Sequence, residues 1–423
     1  MAVFTVAFLT ALAASASVKA LPTLDVRHND QKDHKDWNKG KDTKNYTEFE
    51  GWNTFKGYGS NLGTWLEIEV TNTPNIFLDA GYNVTDEWTF CREAGFEYCG
   101  QVLENHYATY YTTADIDKIA TVGVNVIRIP TTYAAWIEVP GSFLYRGNQL
   151  KYLRNVTDYA IKTYGIHVIL DLHSLPGGVN GLEIGEAFGN QDWFFNQTNF
   201  DYSLQAVDAV IEFVKSSVAP EQFTIAPINE PSDNLAGFGS PDIVTEPAGV
   251  DWVLKYLRAA YAKIQARCPS IWLMQNDSFK GSRFWAPYWN TTDKIVFDQH
   301  LYFFAGDGVY GNLIPGITCG QAAAIKPPGF NVFIGEFSLQ SQYNNSLLVS
   351  RRQEVYDSQV VSFQKFLSGG AFWNTKFQGM MRVNGEGTQN DYWNFELLID
   401  EGVVRPLSQV NMSYCLDTPV PTS

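Results

Sequence analysis

Short apolar, β-branched runs recur along the chain, and longer segments between them return apolar residues every three or four positions. The runs predict strands near Gly57 to Leu62, Val124 to Ile129, His167 to Leu172, Phe223 to Ile228, Ile271 to Met274, Ile295 to Phe297, Val332 to Gly335 and Ala371 to Trp373. The longer periodicity predicts amphipathic helices over Gln149 to Tyr164, Tyr202 to Val218, Asp251 to Arg267 and Ser350 to Leu367. Buried strands alternating with such helices are the mark of parallel β/α units. With no second change of composition, the pattern predicts an α/β chain folded as one decorated (β/α)8 TIM barrel over residues 52–417.

The pattern is different ahead of Trp52. Residues 1–20 run from an apolar stretch, Val3 to Leu12, into small residues ending at Val18-Lys19-Ala20, which reads as a secretory signal cleaved after Ala20 or Ala16. No Lys or Arg precedes the apolar stretch, and its length falls short of the roughly 20 apolar residues that span a membrane. Residues 21–51 turn to Lys, Asp, His, Asn and Gly, too polar to bury a core, and are expected to be a charged arm or pro-segment. His28 and His34 lie in that run without metal-ligand spacing.

A length of 423 residues accommodates one barrel with insertions, since barrels take about 250 residues or more. The formal charge of -15, from 45 acidic and 30 basic side chains, excludes a nucleic-acid partner, which needs a basic footprint. A neutral carbohydrate or glycoside fits that charge, and the chain is expected to be a secreted, extracellular monomer with no membrane association. Sequons at Asn45, Asn83, Asn155, Asn196, Asn276, Asn290, Asn344 and Asn411 suit a secreted glycoprotein, although Asn276 ends an apolar run and can face the barrel mouth. Five cysteines leave one over after two disulfides. Cys91 with Cys99 can close a local loop and Cys319 with Cys415 can fasten the tail, leaving Cys268 as a buried thiol.

Candidate chemistry collects at the predicted strand ends, which in a barrel face one mouth. They carry Arg128, Asp171-Leu172-His173, Asn229-Glu230, His300-Leu301-Tyr302, Glu336 and Trp373. Two glutamates from different strands supply what glycoside hydrolysis requires: one protonates the leaving oxygen, and the other attacks the anomeric carbon or activates water. Trp193, Phe194, Phe195, Phe303 and Phe304 are expected to line the entrance with rings.

In order along the chain, the segments Gly59-Ser60-Asn61-Leu62-Gly63-Thr64-Trp65, Arg128-Ile129-Pro130, Asp171-Leu172-His173, Asn229-Glu230-Pro231, Asp298-Gln299-His300-Leu301-Tyr302, Gly335-Glu336-Phe337-Ser338 and Gly369-Gly370-Ala371-Phe372-Trp373 resemble glycoside hydrolase family 5. The likeness runs from about Trp52 to Cys415, closest to the secreted fungal exo-β-1,3-glucanases. It implies a retaining β-glucosidase-type hydrolase, exo-acting on β-D-glucosides such as β-1,3-glucan, with Glu230 as general acid/base and Glu336 as nucleophile. It further implies substrate contacts at Glu69, Arg128, His173, Asn180, Asn229, His300, Tyr302 and Trp373, with no metal and no cofactor. The chain departs from the exo-glucanase pattern at Phe337, at Ser174-Leu175, at Thr375 and in the register of Phe303-Phe304. These departures fall on subsite walls and loops and leave open the related rutinosidase-like diglycosidases, which release a disaccharide from flavonoid glycosides. An inactive carbohydrate-binding barrel and a transglycosylase are the remaining alternatives.

Overall fold

A computed structural model describes residues 48–184, 186–234 and 247–419. The expected signal at 1–20, nearly all of the arm and Asn45 lie outside the described residues. The strands are β1 Gly57–Asn61, β2 Val126–Thr131, β3 His167–Leu172, β4 Phe223–Ala226, β5 Trp272–Asn276, β6 Ile295–Leu301, β7 Asn331–Phe337 and β8 Gly369–Phe372. Each pairs in parallel with the next, and β8 returns to β1, closing the barrel. Strand β2 runs two residues later than the apolar run suggested, because Pro130 and Thr131 continue its pairing to β3. Arg128 therefore sits in mid-strand and not at its end.

Every residue of β1 to β5 and β8 is buried, since helices cover the outside while the inside packs on itself. Val126, Ile169, Ala226, Met274, Val296, Phe333 and Ala371 fill the N-terminal half of the interior, and Trp52 packs with them. Trp52 donates its indole N–H to Thr224 Oγ1 at 3.0 Å. Phe49, three positions before the expected domain start, already stacks on His167 and meets Trp52 and Phe55 edge-on. This packed half leaves the C-terminal half free to carry polar groups.

The helix Gln149–Tyr164 has the expected bounds, and it ends on Gly165 at φ 67°, where a left-handed residue terminates a helix without a Cβ penalty. Helices Gln197–Lys215, Pro247–Arg267 and Val349–Phe366 lie within a few residues of expectation. The disulfides Cys91–Cys99 and Cys319–Cys415 are formed, and Cys268 is a buried free thiol. The sequons Asn83, Asn155, Asn290, Asn344 and Asn411 are exposed, whereas Asn276 is buried at the end of β5. No helix among the described residues is long and apolar enough to cross a membrane.

Candidate active site

Arg128 is the hub beneath the barrel mouth. Fully buried, it donates from Nη1 to Glu336 Oε1 at 2.8 Å and to Asn61 Oδ1 at 3.1 Å, and from Nη2 to Asn229 Oδ1 at 2.7 Å. Its Nη2 also lies 3.0 Å from Asp171 Oδ2. Burial works against its charge, but Asp171, Glu336 and Asp298 outweigh that penalty and hold the guanidinium firmly ionised. A planar fork with five donors is the only side chain able to serve four acceptors on β1, β2's neighbours and β7 at once.

Glu336 is aimed by a backbone irregularity. On β6 and β7, Gln299 pairs with Ile334 but His300 pairs with Glu336, so Gly335 is an extra residue in β7. Such a bulge redirects the following side chain. Glu336 accepts from Arg128 on one oxygen and from the Tyr302 hydroxyl on the other, at 2.8 Å each. Glu230 stands four residues beyond β4 with φ 43°, a left-handed conformation that non-glycine residues adopt at a cost of order 1–3 kcal/mol and that clusters at working sites. The Asn180 side chain donates to the Glu230 carbonyl at 3.1 Å and holds this turn.

The two glutamates face each other across His300. Its Nδ1 lies 2.5 Å from Glu230 Oε1 and 3.3 Å from Glu336 Oε2, and atoms of all three groups fall within 4.8 Å of one another. Burial lowers the His300 pKa, yet Glu336, Asp298 and Glu230 together raise it well above the usual imidazole range. His173 repeats this arrangement, with Nδ1 at 2.6 Å from Asp171 Oδ2 and Nε2 at 3.5 Å from Glu69 Oε1, and its pKa is likewise raised against the effect of burial. His173 stacks on Trp373, ring centroids 5.7 Å apart and planes 12° from parallel. The Trp373–Asn374 peptide is cis.

Above these groups opens a cavity of about 700 Å³, large enough for a glycoside. Glu69, His173, Asn229, Glu230, His300, Tyr302, Glu336 and Trp373 all line it, so eight of the ten expected site residues converge there. Arg128 and Asn180 do not. Both are buried beneath the lining, where the Arg128 fork meets four acceptors and Asn180 braces the Glu230 turn. Trp193 and Phe194 are corrected: both are buried outside the lining, Trp193 against Tyr256 and Trp252 and Phe194 against Trp193, while Phe303 and Phe304 reach the cavity. Phe337, Leu175 and Thr375, taken as changes to the substrate walls, are buried and outside the lining; Phe337 meets Phe363 and Phe372 on the barrel's outer face.

Several contributors were not anticipated. Asp171 and Asp298 each precede a site histidine by two positions, which puts aspartate and histidine on the same strand face, and the repeated Asp-x-His spacing was the available signal. Phe279 and Phe377 line the cavity from loops, and Trp393 from the short helix Asn390–Trp393, with no motif to mark them. Glu67 is buried beside Glu69, with neither carboxyl oxygen hydrogen-bonded, and burial raises its pKa well above the ordinary value. Glu67, Glu69 and His173 form one group of potential metal-binding atoms, and Glu230, His300 and Glu336 another.

A closed (β/α)8 barrel whose mouth brings one glutamate from beyond β4 and one from β7 into a single sugar-sized cleft holds the paired carboxyl groups that glycoside hydrolysis requires. The cellulase model of glycosyl hydrolase family 5 matches residues 86–375, and the chain belongs to that family. The structure is similar to that of the rutinosidase from Aspergillus niger, at 43% identity and a TM-score of 0.81 over 85% of this chain and 100% of that one. The solved structure of AoRut is comparably similar, at 45% identity and a TM-score of 0.81 over 84% of this chain and 99% of that one. A curated relative, the probable glucan 1,3-beta-glucosidase A of Aspergillus niger, is 30% identical over 58% of this chain. The match spans 55% of that protein's length.

Proposed function

We propose that the chain is a retaining β-glucoside hydrolase that works by double displacement. The observation that carries this reading is the approach of the Glu230 and Glu336 carboxyl oxygens to within 4.8 Å. Retaining pairs stand about 5–5.5 Å apart, whereas inverting pairs leave about 6.5–9.5 Å for a water. Glu336, held on both oxygens by Arg128 and Tyr302, attacks the anomeric carbon as Glu230 protonates the departing oxygen. The glycosyl–Glu336 ester forms and the glycosidic bond breaks. Glu230, now a carboxylate, takes a proton from water, whose oxygen attacks the anomeric carbon and releases Glu336. Asn229, on the lining beside Glu230, is placed to hydrogen-bond the sugar 2-hydroxyl, and Trp373 offers a flat apolar surface to the ring.

Exo action on a β-D-glucoside such as β-1,3-glucan is the first substrate reading, supported by the site residues shared with exo-glucanases. A disaccharide-releasing diglycosidase is the second, favoured by identity to a rutinosidase that extends over the whole of that chain. Residues 1–20 act as a secretory signal in either case, the charged sequence that follows leads into the catalytic domain, whose packing already includes Phe49, and the exposed sequons are the glycosylation sites. Incubation with laminarin and with rutin separates the readings: glucose from laminarin supports the first, rutinose from rutin the second. Glu336→Gln is expected to abolish both activities, and a Glu230→Gln variant that hydrolysed an aryl β-glucoside at the wild-type rate would sink the acid/base assignment.

A further inference from the structure

Strand β6 carries a carboxylate, Asp298, that the double displacement does not itself use. It is 1% exposed, and its Oδ2 lies 3.4 Å from His300 Nε2 and 3.9 Å from Arg128 Nε. These two partners lead in opposite directions. His300 presents its other nitrogen to Glu230 at 2.5 Å, and Arg128 presents Nη1 to Glu336 at 2.8 Å. We propose that Asp298 is a positioning residue for both reacting carboxyl groups, acting through His300 on Glu230 and through Arg128 on Glu336. The inference rests on the retaining reading of this cleft.

The backbone supports the same assignment. A Cβ on Gly335, the bulged residue immediately before Glu336, would run into the Asp298 carboxylate. The Gly335 N–H also bonds Asp298. The aspartate thus fills the space that the glycine vacates, and it buttresses the turn that aims Glu336.

Charged and titratable groups approach this node from several elements: Arg128 from β2, Glu230 after β4, Asp277 after β5, His300 on β6 itself and Glu336 from β7. Burial alone would push the Asp298 carboxyl up, yet His300, Arg128 and the Gly335 N–H hold it below its ordinary value, so it is charged at neutral pH. Asp277 is pushed up to about 7 by burial and contributes less negative charge. Asp298 is one of the carboxylates that hold the His300 pKa well above the usual imidazole range, and His300 presents Nδ1 to Glu230 at 2.5 Å. Removing Asp298 therefore lets the His300 proton leave at lower pH.

The test is Asp298→Asn, assayed on p-nitrophenyl β-D-glucoside or β-rutinoside beside wild type and Glu336→Gln. The expected result is a kcat lower by about 10- to 100-fold, the usual effect of losing an orienting partner, with KM changed by less than about threefold. The alkaline limb of the kcat/KM profile is expected to move to lower pH. Asp298→Asn and His300→Gln should combine less than additively, because one acts through the other. An Asn variant with an unmoved alkaline limb, or one whose loss only tracks a lower melting temperature, overturns the inference while leaving the retaining reading intact. Wild type that cleaves neither glycoside, or Glu336→Gln that retains activity, overturns both. If the Asn variant does not fold, 15N NMR of wild-type histidines decides: His300 protonated on both nitrogens at pH 7 supports the role of Asp298, and a neutral His300 overturns it.

Discussion

Replacing Arg128 with lysine keeps the buried positive charge and removes the fork. The guanidinium serves Glu336 at 2.8 Å, Asn229 at 2.7 Å, Asn61 at 3.1 Å and Asp171 at 3.0 Å, all from its two terminal nitrogens. A single ammonium on a shorter stem can reach about two of these acceptors in one geometry. Each acceptor left unsatisfied in a buried site costs about 1–3 kcal/mol. Two orphaned acceptors therefore cost about 2–6 kcal/mol. With an unfolding entropy of roughly 2.1 cal/mol/K per residue, a domain of this size shifts by little more than 1 °C per kcal/mol, so the apparent melting temperature should fall by about 3–8 °C. Activity should fall further than stability, by about 100-fold or more in kcat, because a nucleophile displaced by about 1 Å loses that much. Differential scanning fluorimetry and initial rates on an aryl β-glycoside read the two effects. A variant that melts within 1 °C of wild type and keeps a third of its kcat would refute the claim that this fork holds Glu336.

Gly335→Ala should destabilise by about 1–3 kcal/mol through overpacking against Asp298 and lower kcat at least tenfold; unchanged kcat would show that the bulge does not aim Glu336. Glu87, pushed up to about 8, and Glu186 and Asp277, to about 7, all chiefly by burial, fold as neutral acids whose contribution is complete below the unfolded carboxylate range and is lost as pH rises through 7 to 8. Burial pushes His106 down to about 4 and His167 to about 3, so their contribution is complete above the unfolded histidine value and lost as pH falls through those values. The melting temperature is therefore expected to fall as pH rises from about 5 to 8, because three acids outweigh two histidines up to the unfolded histidine value and act alone above it, and a steady rise from pH 5 to 8 would contradict the burial of these acids. Cys415→Ser opens a link between residues 96 apart and should cost about 4–5 kcal/mol on the loop-entropy scale, against about 2.5 kcal/mol for Cys99→Ser, whose partner is 8 residues away; equal melting temperatures for the two variants would refute that ordering.

The barrel was legible because its strands are buried on both faces and so read as unbroken apolar runs, and because the covering helices keep a 3.6-residue period. Residues whose roles follow from placement at or just past a strand end, such as Glu336, His300, Tyr302 and Trp373, were legible for the same reason. Legibility failed where function depends on what a side chain meets across the barrel. Arg128 lies in mid-strand, and only the registers of its neighbours show that Asn61, Asp171 and Asn229 join Glu336 on its fork. For Asn180 nothing local reveals that it folds back on the carbonyl of a residue 50 positions away. The Gly335 bulge is invisible in sequence, since it is a mismatch of pairing between three strands.

The same distinction bears on substrate. Phe337, Leu175 and Thr375 looked like changes to the walls that meet the sugar, yet Phe337 packs on Phe363 and Phe372, Leu175 is in the core, and Thr375, also buried, hydrogen-bonds Ser60 at 2.6 Å. They bear on how this barrel packs and say nothing about which glycoside it takes. The groups that do face the cavity divide by origin. Glu69, His173, Asn229, Glu230, His300, Glu336 and Trp373 come from strands or the few residues beyond them, and they surround the bond to be broken. Leu182, Ile184, Phe279, Phe304 and Val309 come from the loops after β3, β5 and β6, and they give the outer part of the cleft an apolar character. Chemistry at the anomeric carbon is thus tied to the barrel, while discrimination among glycosides is tied to loops that can change without disturbing it. Exchanging the segment Phe304 to Val309 should accordingly alter the preference between laminarin and rutin and leave retention of configuration unchanged, and a switch to inversion would break the separation between the two layers.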